Sequence, residues 1–442
     1  MGGVPVSFDT LIKRTTPVTQ TNKYEAYFDG KHRLEALGVS LPPEMRVLEM
    51  VVDWPRITVE SLDERLTVEG FSLTNDSQVD ERAWTWWQAN NLDVNSSLLH
   101  VESLVQGNGF AMVGPGENNM PRITVHRNIG IIVDNDPLTG LVREALVRYK
   151  EADGSNWAAF YVPGVTSYYA STNGGWKLAS SIDSGMDVVP VIPFTNRSRI
   201  GDRTGRSEMA DVMNYTDACS RTITNLQVAT ELLALPQRYL MGGKGSTQFV
   251  DQDGKPIPQW ETYMGRLLTG PAGATAGQFA GANLDQIINT VKLYAQMVSG
   301  STGMPLSNLG INTDNPVSAE ALNAAANRHV KKAEKKQVIF GEGWEQVMRT
   351  SESLVDGKSN PKAVSLETRW RDASTPTRAS AAAAATALVT ANIIPPIVAR
   401  EMIGLTPEQK RLSNEWENNS PMTQLARAVG ATGEPKPVPA SA

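Results

Sequence analysis

The residues best suited to chemistry are few, and their spacings miss the patterns that chemistry needs. Met241-Gly-Gly-Lys-Gly-Ser-Thr247 comes nearest to a phosphate-cradling loop, but that loop needs Ser or Thr directly after its lysine, and Gly245 follows Lys244. Gly107 and Gly109 begin a dinucleotide fingerprint that Met112 ends, and no GxSxG elbow or HExxH zinc motif occurs. His32, His100, His126 and His329 lie far apart in the chain. Cys219 is the lone cysteine, which excludes an intrachain disulfide and a Cys-based zinc site. The acidic neighbours Asp63-Glu64 and Asp80-Glu81 fall on amphipathic segments, where such pairs are usually solvated surface. No catalytic residue, metal or cofactor is expected.

Composition narrows the classes further. The chain has 442 residues, with 41 Lys and Arg against 47 Asp and Glu, a net charge of −6. That balance argues against a free-standing nucleic-acid binder with a basic surface. The N-terminus lacks a basic region followed by an apolar one, and Val6 stands where myristoylation needs Ser or Thr. The longest near-apolar run, Ser380–Pro396, is broken by Thr, Asn and the Pro395-Pro396 pair. No membrane partner is expected, and the chain reads as soluble and intracellular during synthesis.

The hydrophobic periods lay out the elements. Residues 1–24 are polar and read as a flexible arm. Residues 50–71 read as short strands around a helix, and 80–105 as helix ended by Gly107. Short β-branched and aromatic runs between 110 and 195, parted by Asn, Asp and Gly turns, predict antiparallel hairpins. Residues 206–235 return to helix, about 45 Å long at ~1.5 Å per residue. Residues 236–282 are Gly- and Pro-rich, with a hairpin turn expected at Asp253-Gly254 and a flexible loop at 270–282. Residues 283–300 form a helix with a clean stripe of Leu284, Ile287, Ile288, Val291, Tyr294, Ala295 and Val298; its opposite face is polar and nearly uncharged. Residues 301–315 are polar and aperiodic. A long helix follows Asn315-Pro316, with a kink or break expected at Gly341 and Gly343. Residues 364–372 read as a strand, 376–418 as helices and 419–442 as a flexible tail.

Six stretches in this order resemble tailed-bacteriophage portal proteins of the SPP1 portal-like family: YFDGKHRLEALG, VVDWPRITVESLDERLTVEGF, SLLHVESLVQGNGFAMV, VVPVIPFTNRS, the helix from GRSEMADVM, and TGMPLSNLGINTDNPVSAEALNAAANRHVKKAEKKQVIFGEGW. The resemblance spans roughly residues 25–415. It implies an α+β portal fold that assembles as a dodecameric ring at one capsid vertex of the virion, formed in the host cytoplasm. The wing would be 25–205, the first stem helix 206–235, the clip 236–282 and the second stem helix 283–300. The channel loop would be 301–315, the long kinked wing helix 316–356 and the crown or wing C-terminal region 357–418. Double-stranded DNA would pass without sequence recognition during packaging and ejection. The large terminase subunit, a head–tail adaptor, and the major capsid and scaffolding proteins are the implied partners.

Against that frame, particular residues carry two readings each. Asn308, Asn312 and Asn315 would face DNA, or simply serve turns. Arg328, Lys331, Lys332, Lys335 and Lys336 would contact DNA or a neighbouring subunit, or form a solvated helix face. Leu284, Ile287, Val291 and Val298 would form a subunit interface, or an ordinary helix core. Trp260, Tyr263 and Arg266 would meet terminase or adaptor, or lie in a core. The alternative for the whole chain is a soluble intracellular enzyme or multidomain binding protein with an unrecognised site.

Overall fold

In the N-terminal stretch, three apolar residues at helical spacing, Phe8, Leu11 and Ile12, are enough to order a segment that its polar composition marks as a flexible arm. Helix α1 (Phe8–Arg14) buries Leu11 completely beside Leu146 and Ala158, and Phe8 stacks on Tyr169 at 3.9 Å. The computed structural model describes residues 8–15, 23–34, 49–73, 80–172, 175–233, 238–241, 255, 275–278, 284–311, 319–357, 365–374, 378–403, 409, 412–413 and 416. The chain divides into two units, Met1–Ala373 and Ser374–Ala442.

After α2 (Lys23–Phe28), helix α3 (Trp54–Asp63) carries Pro55 in its first turn, where a missing N–H costs nothing. Strand β1 (Val68–Leu73) follows, so the 50–71 region supplies one helix and one strand. Helix α4 (Glu81–Ala89) is capped by the Asp80 carboxylate, which accepts from the Ala83 N–H at 2.9 Å. Helix α5 (Leu92–Gln106) runs through the middle of the largest core.

The strand-rich region matches its alternating pattern. β2 (Asn108–Pro115) lies between β3 (Pro121–Arg127) and a later strand, β9 (Val191–Thr195), all antiparallel. Between them in sequence, β4 (Ile131–Asn135), β5 (Val142–Lys150), β6 (Asn156–Val162), β7 (Val165–Thr172) and β8 (Gly175–Asp183) form an antiparallel meander in that order.

Helix α6 (Met213–Leu233) begins seven residues later than its apolar pattern suggests. Residues 196–212 instead form turns, because Asn196 and Glu208 are drawn into contacts described below. β10 (Arg238–Met241) and β11 (Thr275–Gln278) pair antiparallel, so part of the stretch read as flexible loop is a strand. Asp253-Gly254 lies outside the described residues. Helix α7 (Asp285–Thr302) follows.

Helix α8 (Ala319–Asp356) is continuous through Gly341 and Gly343, so the expected break does not occur. The two glycines answer to packing. A Cβ at Gly343 would come within 2.8 Å of the Phe194 ring, and one at Gly341 within 3.2 Å of the Trp370 indole nitrogen. Their absent side chains let α8 press onto β9 and β12 (Leu366–Trp370). The core there is aromatic: Trp344 packs edge-on to Trp87 at 4.9 Å and to Phe194 at 4.7 Å. β12 pairs with β1, which ties residues 366–370 to the first unit. In the second unit, α9 (Arg378–Thr390) and α10 (Pro396–Met402) pack on each other.

Candidate functional site

Two long helices with a short linker after the second are the elements around which the candidate residues gather. α6 and α7 pack together through Cys219 on one side and Ala295 and Val298 on the other, joined by Val212 just ahead of α6. Trp54 of α3 closes the cluster. Burial pushes the Cys219 thiol up to about 12, so it is an inert apolar filler. Val298 is fully buried inside its own subunit and Val291 packs on the same cluster. Of the two readings given to this stripe, the helix core holds for Val298, while Val291 is half-buried and Ile288 of the same stripe is 42% exposed. Leu284 and Ile287 are half-buried.

The outward face of α7 differs in kind. Gln286, Asn289 and Gln296 are exposed there, and so are Leu293 (47%) and Met297 (43%), four residues apart. These two apolar residues escaped the sequence analysis because they sit opposite the dominant stripe. Their (i, i+4) spacing was the available signal. Lys292 is the exposed cation of the helix.

The linker after α7 is anchored where its polarity suggested mobility. Gly303 ends the helix with φ +79, and the Arg328 guanidinium donates to the Gly300 carbonyl at 2.6 Å, satisfying the negative end of α7. Met304 and Leu309 are buried in the α6–α7 cluster, and residues 306–309 form a 3₁₀ turn. Asn308 projects into solvent from that turn. Asn312 and Asn315 lie outside the described residues, as do Trp260, Tyr263 and Arg266.

The basic flank of α8 divides in two. Lys331 and Lys335 are exposed, whereas Lys332 and Lys336 turn inward and pair with Glu208, the Lys336 ammonium at 3.0 Å. Lys336 also donates to the Asn196 side chain. Burial alone would raise the Glu208 carboxyl, but the two ammonium groups outweigh it and hold the group down at about 2. Lys332 and Lys336 therefore serve as internal fasteners, which corrects their reading as DNA or intersubunit contacts, while Arg328 stays exposed as it holds the end of α7. The position of Glu208, more than a hundred residues upstream, was not readable from the lysine run.

The other chemistry-bearing residues resolve into structure. Gly107 and Gly109 form the turn from α5 into β2. Asp63 is not a solvated acid: it accepts from the Ser97 hydroxyl at 2.6 Å and lies 3.9 Å from His100, and burial pushes its carboxyl up to about 6. His100 accepts from the Trp344 indole N–H at 2.9 Å, and burial holds it neutral, down at about 3. Among the described residues, no group of three His, Cys, Asp or Glu side chains is placed to hold a metal ion, and no helix is long and apolar enough to cross a membrane.

Comparison with known proteins gives this arrangement its context. The family model described as "Phage portal protein, SPP1 Gp6-like" matches residues 13–422. The portal proteins of Mycobacterium phages L5 and D29 are each 34% identical to the chain over 424 residues, covering 92% of it and 86% of each relative. Among solved structures, a chain from the virion of a native gene transfer agent particle covers 84% of this chain and 95% of its own length, at 15% identity and a TM-score of 0.45. A chain from the neck of an empty particle of that agent, computed with C6 symmetry, aligns with a TM-score of 0.46 at the same 15% identity and the same coverage.

Proposed function

The chain belongs to the phage portal protein family, and on that premise we propose that twelve copies close into a ring at one capsid vertex, enclosing a channel through which double-stranded DNA is packaged and later ejected. The observation that carries this reading is the match to portal proteins over nearly the whole chain, residues 13–422.

The physical features agree with a conduit. α6 and α7 serve as the stem, each subunit holding its own pair together through the Cys219–Val298 core. A closed ring needs two different surfaces on each subunit. Leu293 and Met297, exposed on the free face of α7, supply one of them. Segment 236–282, opened by the β10–β11 ladder, is the clip that docks the large terminase subunit during packaging and the head–tail adaptor afterwards. The linker at 303–311 points Asn308 towards the channel from an anchored base, so any DNA contact there is made by a fixed turn. The wing carries the contacts to the major capsid and scaffolding proteins, and ring assembly takes place in the host cytoplasm.

The test is genetic. A phage carrying an amber mutation in the gene for this chain is expected to yield heads without DNA in a non-suppressing host. Supplying the chain in trans restores filled heads. DNA-filled heads in its absence overturn the reading.

A further inference from the structure

Two nearly fully exposed apolar side chains, Leu138 at 95% and Ile200 at 96%, project from different loops onto the rim of one cleft. Neither loop is loose. In the β4–β5 turn, the Asp136 carboxylate accepts from the Leu138 and Thr139 N–H groups at 2.8 and 3.0 Å, which fixes Leu138 outward. The 196–206 loop is clamped at its base, where the Arg206 N–H donates to the Asn196 carbonyl at 3.0 Å and the Asn196 amide donates back to the Arg206 carbonyl at 2.7 Å. Within it, Asp202 accepts from the Ser198 hydroxyl at 2.7 Å and from Arg199 at 3.1 Å. A rigid loop that holds a large apolar residue in water gains nothing for its own fold.

The cleft between them has a volume of about 460 Å³, and Arg14, Arg197 and Arg203 line it. The neighbouring carboxylates are already engaged: Asp134 by Arg143 at 2.5 Å and Arg14 at 3.8 Å, Asp136 by its own turn, Asp202 by its own loop. Arg197 and Arg203 are exposed and make no ion pair among the described residues. The surface is thus locally positive on a chain whose net charge is −6.

We propose that this cleft docks an acidic, amphipathic segment of a partner protein, with Leu138 and Ile200 as its two apolar anchors and Arg197 and Arg203 as its charge readers. Charge complementarity selects an acidic occupant. The paired apolar rims select protein over nucleic acid, since a phosphate backbone offers nothing to a displayed leucine and isoleucine. Preorganised anchors lower the ordering cost that binding a flexible segment carries. The proposal rests on the ring reading only in that the assembled ring leaves this cleft open.

The probe is a fluorescein-labelled synthetic peptide with Glu and Leu at helical spacing, titrated into the full-length protein and followed by anisotropy. Companion titrations use peptides with every Leu changed to Ser or every Glu changed to Gln, and a short DNA duplex. The expected result is measurable binding of the first peptide. The doubly substituted proteins Leu138→Ser/Ile200→Ser and Arg197→Gln/Arg203→Gln each bind it at least tenfold more weakly, with unchanged circular dichroism. Absence of binding, or equal binding by both variants, overturns the proposal. Tighter binding of the duplex, weakened by the arginine changes alone, makes the cleft a polyanion site instead. Loss of subunit assembly with peptide binding unchanged makes it a contact between copies of this chain.

Discussion

The α8 face from Arg328 to Lys336 and the loop from Arg197 to Arg206 both concentrate basic residues, and the fold disposes of their charge differently. On α8, Lys332 and Lys336 meet a buried Glu208, and Arg328 closes the end of α7. In the loop, Asp202 is consumed by holding the turn, and Arg197 and Arg203 are exposed without an ion pair among the described residues. The lesson is that a count of cations predicts binding poorly. What decides is whether a carboxylate or carbonyl from a distant element already occupies them.

The sharpest break of this comparison is Glu208→Gln. It strands Lys336 in the core without its counter-charge, which costs about 3 to 5 kcal/mol of stability in urea unfolding. Arg203→Gln, by contrast, stays within about 0.5 kcal/mol of wild type. Equal effects from the two changes would show that the α8 lysines are solvated after all.

The linker offers a second contrast within three residues. Leu309→Ala removes a buried anchor and is expected to cost about 2 to 3 kcal/mol. Asn308→Ala, beside it in solvent, changes stability by less than about 0.5 kcal/mol and registers only in the DNA content of heads. A Leu309→Ala variant as stable as wild type would return the linker to the mobile loop its polarity suggests.

Acid titration separates two engaged carboxylates of opposite sign. Glu208 is held below its ordinary value of 4.5, so its stabilising contribution is present above that pH and is lost as pH falls towards about 2. Asp63 is raised from 3.8 to about 6, so the folded protein holds its proton more tightly than the unfolded chain does. The stability that goes with protonated Asp63 is full below about pH 4 and is lost as pH rises through about 6, a change of about 3 kcal/mol. Asp63→Asn should remove that component from the pH profile. His100, held neutral by burial, lies 3.9 Å from Asp63 and is coupled to it, so its imidazole signals are followed by NMR in both proteins to separate the two slopes. A difference that does not vary between about pH 4 and pH 6 would place Asp63 in water.

Much of the architecture was legible because its signals are local. The hairpins of 108–195, the helical character of 81–106 and the pair of long helices follow from period and turn chemistry, although Asn91, with φ 52, splits 81–106 into α4 and α5. The failures have a common cause. α1, the unbroken passage of α8 through Gly341 and Gly343, the inward turn of Lys336 and the anchoring of Leu309 all depend on a surface supplied from far along the chain. The stripe containing Val298 was open to two readings, a subunit interface or a helix core, and the period alone could not choose between them. A period shows that a face is buried, and it does not say whether the covering surface belongs to the same subunit.

The claim that this chain builds a ring is tested most directly by the native mass of the purified full-length protein, measured beside Leu293→Asp/Met297→Asp. Wild type is expected as closed particles near twelve times 48.0 kDa. The double variant is expected as folded subunits of 48.0 kDa with the same helix content, since its changes lie on the exposed face of α7 and leave the Val298 core intact. Wild-type protein that remains at 48.0 kDa under the same conditions contradicts the account.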